Sequence, residues 1–180
     1  MNFYIGDLHF GHRSVIDFDH RPFADADEMD RAMIELWNSR VSEDDEVYVL
    51  GDFAYRNYKP EEWYLRQLKG AKHLIVGNHD WKLMKNPGAM RYFQSVEKMC
   101  HVSDAGTHIC LCHFPIADWN GRYKGHYHIY AHIHGQNDEV SRYMKQFDRA
   151  LNASACINYY MPVSFKELVR NNERWRDESG

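Results

Sequence analysis

Five short apolar runs punctuate the chain, and each ends in polar residues suited to chemistry. They are FYIG at 3–6, EVYVLGD at 46–52, KHLIVGN at 72–78, THICLCHF at 107–114 and HIYAHI at 128–133. Their β-branched and aromatic content and their length predict strands. Helical patterns fall between the early ones. From Asp27 to Arg40, the residues Met29, Ala32, Met33, Leu36 and Trp37 recur at spacings of three and four, as one face of a helix requires. A second helix is expected to open at Pro60, a good first-turn residue, and to place Trp63, Leu65 and Leu68 on one side before Gly70 closes it. Ser164 and Glu167 have capping-box spacing and predict a short C-terminal helix.

Strand, helix, strand, helix, strand implies an α/β architecture with a largely parallel core. Connections between the later strands are shorter, which predicts a mixed sheet or a second sheet there. No repeat, low-complexity tract or long linker interrupts the pattern, so residues 1–180 read as one domain.

The polar residues collect at the C-terminal ends of the strands, where open α/β sheets bind ligands. Asp7-Leu8-His9 follows the first run, Gly51-Asp52 the second and Gly77-Asn78-His79-Asp80 the third. His113 follows the fourth, and His132-Ile133-His134 the fifth. Each has a bland explanation alone. Asp7 or Asp52 suits a cap, a lone His113 suits a satisfied core histidine, and Gly77-Asn78 suits a turn. An Asp, Asn or His at the same end of every core strand is not explained by five separate accidents.

Composition narrows the chemistry. Apolar residues make up 44% and charged residues 27%, an ordinary soluble balance. The net charge of −4 gives no general basic field for nucleic acid or an anionic membrane. No apolar run approaches the roughly 18 residues of a membrane span. The opening MNFYIGDLHF has no signal-peptide pattern, so a cytoplasmic protein is expected. Cys100, Cys110, Cys112 and Cys156 form no C-x-x-C pair and read as reduced, mostly buried thiols. Histidine stands out, with twelve in 180 residues.

The candidate ligands are carboxylates, imidazoles and one amide, without thiolate. Such a set suits Mn²⁺ first, with Fe, Zn²⁺ or Ni²⁺ as alternatives. Seven candidates (Asp7, His9, Asp52, Asn78, His113, His132, His134) exceed one tetrahedral ion and suit two ions sharing a carboxylate. Two-metal sites clamp the attacking and leaving oxygens of a phosphoryl centre.

D-x-H, G-D, G-N-H-D, a lone H and H-x-H, in this order, resemble the calcineurin-like metallophosphoesterases. Asp7-Leu8-His9-Phe10-Gly11-His12 with Arg21-Pro22-Phe23 is similar to their small, cap-less bacterial and phage members. The resemblance implies a four-layer αββα sandwich of two mixed sheets flanked by helices. It implies that Asp7, His9, Asp52 and His134 hold one ion and that Asp52 bridges to a second, completed by Asn78, His113 and His132. His79 would face the substrate as general acid or as a donor to the phosphoryl oxygens. The reaction implied is phosphoester hydrolysis by a dinuclear-metal-activated hydroxide. An open site without a cap suits diesters before monoesters, with a nucleotide or nucleic-acid end among the candidate substrates.

Arg13, Arg21 and Arg56 are the nearest cations for a phosphate, and His12 and His128 are further rim candidates. His128 is expected to share a strand face with Tyr130 and His132 and so to reach the site rim. Three departures from the family pattern stand out, one being the additional histidines His126 and His128 just before the last block. Ala131 precedes His132 where many members have Gly, and the second block lacks a second Asp after Asp52. Two rival readings remain. A catalytically weak metal-binding scaffold on the same fold predicts lost ligands, and none is lost. A zinc-dependent nucleic-acid module of Cys110, Cys112, His132 and His134 needs a basic face and leaves Asp7, His9, Asp52 and Asn78 without a role.

Overall fold

The computed structural model describes residues 1–177. Strand β1 (Asn2–Ile5) leads through helices α1 (Arg13–Phe18) and α2 (Ala26–Arg40) to β2 (Glu46–Val49). Helix α3 (Glu61–Leu65) then precedes β3 (Ala71–Ile75), and α4 (Pro87–Met90) precedes β4 (Phe93–Glu97). The second half holds β5 (Met99–Asp104), β6 (Thr107–Cys112), β7 (Tyr127–Tyr130), α5 (Glu139–Met144), β8 (Ala150–Asn152), β9 (Val163–Ser164) and α6 (Phe165–Asp177).

Two mixed sheets result. The first has the order β4-β3-β2-β1-β9, parallel except for β9. The second has the order β5-β6-β7-β8, parallel except for β5. The period-2 alternation of the strands sorts their side chains into layers. Phe3, Ile5, Val47 and Val49 turn outward onto Met29, Met33 and Trp37 of α2. Tyr4, Leu50, Ile75, Ile109, Leu111 and Ile129 fill the space between the sheets. Cys110 and Tyr130 face the other way, onto Met144 of α5 and Trp119. The architecture is the expected αββα sandwich, and the later strands do form a second sheet.

Several boundaries differ from expectation for identifiable reasons. Helix α2 begins at Ala26 because the Asp25 carboxylate caps it, accepting the Glu28 N–H at 2.8 Å. Helix α3 ends at Leu65; the chain then tightens through Gln67 N–H to Tyr64 C=O and Leu68 N–H to Leu65 C=O, and Leu68 still reaches the core. Pro60 is its N-cap rather than a first-turn residue. The Glu167 carboxylate accepts the Ser164 N–H at 2.9 Å, the reciprocal half of a capping box. Helix α6 then runs for 13 residues, longer than expected, because Leu168, Asn172 and Trp175 continue its buried stripe. All four cysteines are free. Among the described residues no helix is long and apolar enough to cross a membrane.

The two sheets are joined at one edge. Gly6, just past β1, donates its N–H to Ala153 C=O at 2.8 Å and accepts the Ala155 N–H at 2.8 Å. That seam brings the ends of β1, β2 and β3 beside those of β6, β7 and β8.

Candidate metal centre

At this seam the backbone must turn sharply and still present side chains inward. Asp7 (φ 52°), His9 (φ 54°), Asp52 (φ 51°), His132 (φ 72°) and His134 (φ 51°) all adopt the left-handed region. For non-glycine residues this costs roughly 1–3 kcal/mol each, and such strain concentrates at functional sites. Five of the seven candidate ligands are therefore held in conformations their side chains disfavour. Gly51 and Gly77 allow the turns to close. A Cβ on Gly51 would lie 2.5 Å from His113 Nδ1, and one on Gly77 would lie 2.4 Å from Asp52 Oδ1. Ala131 needs no positive φ; the left-handed residue is His132. Its methyl group fills the space left by the absent side chain of Gly6.

Two buried triads converge here, Asp7/His9/His134 and Asp7/Asp52/His113, with the ligand atoms of each within 4.8 Å of one another. Asp52 Oδ2 lies 3.7 Å from His9 Nε2 and 3.6 Å from His113 Nε2. Its other oxygen accepts the His79 N–H at 2.8 Å. Asn78 Oδ1 stands 3.0 Å from His113 Nε2 and 2.9 Å from His132 Nδ1. Asp7 is gripped by the His132 N–H and the Ser154 hydroxyl. His113 donates Nδ1–H to Leu50 C=O at 2.7 Å, which leaves Nε2 as a lone pair aimed at the centre. His134 Nδ1 is paired with the Asp19 carboxylate at 2.7 Å, which frees its Nε2 in the same way.

The donor set fits a cation, and His9 gives the sharpest indication. The residue is buried, and neither ring nitrogen has a hydrogen-bond partner. An unmet buried polar atom ordinarily costs ~1–3 kcal/mol. Protonation does not relieve it: burial, then the neighbouring His134 and Arg21, hold its pKa well below the usual histidine range. A neutral imidazole beside two carboxylates has the donor chemistry of a metal ligand. Burial also pushes the Asp52 carboxyl upward, with Asp7 adding repulsion and His113 opposing it. A bound cation reverses that pressure.

Three residues that sequence reasoning did not single out hold this arrangement. Asp80 is buried and accepts the N–H groups of Gly77 (2.7 Å), Asp52 (2.9 Å) and Phe53 (2.9 Å), tying the turn after β3 to the turn after β2. Asp19 orients His134. Tyr55 lays its ring 4.0 Å from that of His79 and meets His12 edge-on at 4.9 Å. Asp80 closes the G-N-H-D block and was visible there; Asp19 and Tyr55 carry no sequence signal.

A cleft of about 640 Å³ opens over the centre, with His9, Asp52, Asn78, His79, His132 and His134 in its lining. His12 lines it too, its pKa lowered to about 4 by burial and by Arg56 and His79. Arg13 and Arg56 lie in a shallower groove that shares His12 and Ser14 with this cleft. Arg13 is paired with Asp17 at 3.2 Å, and Arg56 lies over the Tyr55 ring.

Two candidates lie elsewhere. Arg21 is buried behind the centre, its guanidinium donating to Leu8 C=O, Asp7 C=O and the Asp19 carboxylate. It braces ligand-bearing backbone and has no donor left for a phosphate. His128 is fully buried on the outer face of the second sheet, bonded to Cys110 C=O and to the Ile116 N–H. The strand ends at Tyr130 and the left-handed His132 breaks the alternation, so the two histidines do not share a face.

An αββα sandwich with a buried carboxylate–histidine centre at the seam of its two sheets defines the class. No family model matches the chain. It is 28% identical over 172 residues to the uncharacterized protein MJ1445 of Methanocaldococcus jannaschii, covering 94% of this chain and 90% of that one. It is 30% identical over 159 residues to the gene 66 protein of Mycobacterium phage L5, covering 73% of this chain and 76% of that one. The chain belongs to the family of that phage protein. Its fold matches the crystal structure of AQ665, a protein of unknown function from Aquifex aeolicus. The TM-score is 0.74 at 24% identity, covering 94% of this chain and 98% of that one.

Proposed function

We propose that this protein is a metal-dependent phosphoesterase that hydrolyses phosphodiesters in preference to monoesters. The observation that carries the reading is the pair of buried triads sharing Asp7 around the unpartnered imidazole of His9. Asp7, His9, Asp52 and His134 would hold one divalent cation, and Asn78, His113 and His132 a second. Asp52 would be shared between the two, a role supported by the near-equal distances from its Oδ2 to His9 and His113, 3.7 and 3.6 Å. The oxygen-and-nitrogen set favours Mn²⁺. Bound there, two such ions supply Lewis acidity toward the phosphoryl oxygens and make a water nucleophile available near neutral pH.

The chain's own residues do the rest. Asp80 and Arg21 hold the turns in register, so the ligands arrive preorganised. His79 stands in the cleft wall with its backbone fixed on Asp52 and its ring against Tyr55. From there it protonates the leaving alkoxide. A cleft open to solvent leaves room for both substituents of a diester.

The test combines metal removal with a His79→Ala variant. Chelation should abolish hydrolysis of aryl diesters and lower the melting temperature, and Mn²⁺ should restore both. In His79→Ala the rate on an alkyl ester should fall about 10² to 10⁴. The fall should be smaller with nitrophenolate, which leaves without a proton, and metal content should stay unchanged. Full turnover in a verified metal-free sample would falsify the metal-dependent reading. Loss of an ion from the variant, or an undiminished alkyl-ester rate, would remove His79 from its role.

A further inference from the structure

A second cleft of about 680 Å³ adjoins the first and shares Phe18 and Gln136 with it. Nothing in the proposed reaction uses it. Its far wall is a turn built from strain. Tyr159 (φ 55°) and Tyr160 (φ 59°) are consecutive bulky residues in the left-handed region, and His20 (φ 52°) faces the same cleft. A bulky residue with positive φ is a true outlier, and two in succession persist only where the surroundings dictate them. Buried Asn158 supplies that support. Its amide donates to Ser154 C=O at 2.9 Å, and its side-chain oxygen accepts from Asn171 at 3.0 Å.

The turn holds the Tyr159 side chain 50% exposed, with the Arg174 guanidinium 5.5 Å from its ring centroid. Arg174 is exposed and makes no ion pair among the described residues. The Asp19 carboxylate also lines this cleft, but Arg21 and His134 already occupy it. The dividing wall is aromatic as well, with Phe18 61% exposed and edge-on to His134 at 5.8 Å. Two exposed rings and one guanidinium without an ion pair offer a single nucleic-acid strand faces on which bases stack and a cation for a phosphate, local contacts that need no general basic field.

We propose that the second cleft binds the continuation of a single-stranded nucleic acid whose scissile phosphodiester lies at the metal centre. A base stacks on Tyr159, the adjoining phosphate meets Arg174, and the strand crosses Phe18 to reach the ligand histidines. This assignment rests on the phosphodiesterase reading and specifies its substrate.

The experiment has a binding arm and a rate arm, run on the full chain. Tyr159→Leu and Arg174→Gln should each weaken binding of a fluorescein-labelled oligothymidylate of roughly ten nucleotides, read by anisotropy, by on the order of tenfold to a hundredfold. Arg174→Gln should also flatten the salt dependence of that binding. With Mn²⁺ present, kcat/KM on the oligonucleotide should fall by a similar factor, while hydrolysis of bis(p-nitrophenyl) phosphate should not change. Unchanged affinity in both variants overturns the proposal, as does an equal fall on the oligonucleotide and the aryl diester. If the wild-type protein hydrolyses neither substrate, the phosphodiesterase reading fails. The anisotropy arm still decides whether the cleft holds a strand.

Discussion

Asp80 ties together the two turns that carry Asp52 and Asn78, and its removal should be felt in stability and metal affinity alike. Its Oδ2 accepts the N–H groups of Gly77 and Asp52, and its Oδ1 accepts that of Phe53. Asp80→Ala leaves three buried donors unmet at ~1–3 kcal/mol each, or ~3–6 kcal/mol once the turn relaxes and water enters. Asp80→Asn can keep its oxygen on Gly77 and Asp52, but it sets an NH₂ group against the Phe53 N–H, for a cost of ~1–3 kcal/mol. Burial raises the Asp80 pKa against the pull of those N–H groups. Burying this charge therefore has a cost that Asn escapes, and Asn should fall at the low end. Urea unfolding of the metal-free protein measures both losses, and calorimetric Mn²⁺ titration should show weaker binding in the same order. If Asp80→Ala costs no more than ~0.5 kcal/mol, the range of ordinary surface substitutions, the three bonds do not hold the turns and the reasoning fails.

Two further outcomes follow from buried polar groups outside the cleft. Arg21→Lys cannot reproduce the fork that spans Leu8 C=O, Asp7 C=O and Asp19. Metal affinity should drop with substrate KM little changed; a raised KM at unchanged metal affinity would instead put Arg21 on the substrate. His128 has its pKa lowered from 6.5 to about 4, chiefly by burial. The unfolded chain therefore takes up the proton first as pH falls. Stability is intact above pH 6.5 and declines toward pH 4, by ~3 kcal/mol in all. His128→Asn should flatten that slope in urea titrations, and identical slopes would exclude the assignment.

The fold and the convergence of Asp, Asn and His side chains at one seam were legible because both lie on the surface of the sequence pattern. Apolar runs such as EVYVL and HLIV mark central strands, and polar residues directly after them mark one edge of the sheet. Strands β8 and β9 escaped because three and two residues are too few for a period to show. Strand β5 escaped because Met99–Asp104 packs one face only lightly and carries polar residues throughout. The supporting residues were hidden for a different reason. Nothing in an isolated Asp says whether it caps a helix, as Asp25 does, or orients a histidine, as Asp19 does. Arg21 and His128 read as candidates for the substrate rim because a cation and an imidazole close in sequence to the site suggest a phosphate contact. Only the tertiary structure reveals the backbone carbonyls that let them be buried.

The hydrogen bond from Ser154 to Asp7 spans 147 positions of sequence. Asp7 leaves the ribosome long before Ser154, so its carboxylate is not fully held until β8 and the residues after it have emerged and paired with Gly6. The centre therefore cannot mature progressively as the ligands appear. It forms at the end, when the seam between the sheets closes. A nascent chain stalled before residue 150 would carry seven strands of the fold, β1 to β7, with every candidate ligand made and the Ser154 anchor of Asp7 still missing.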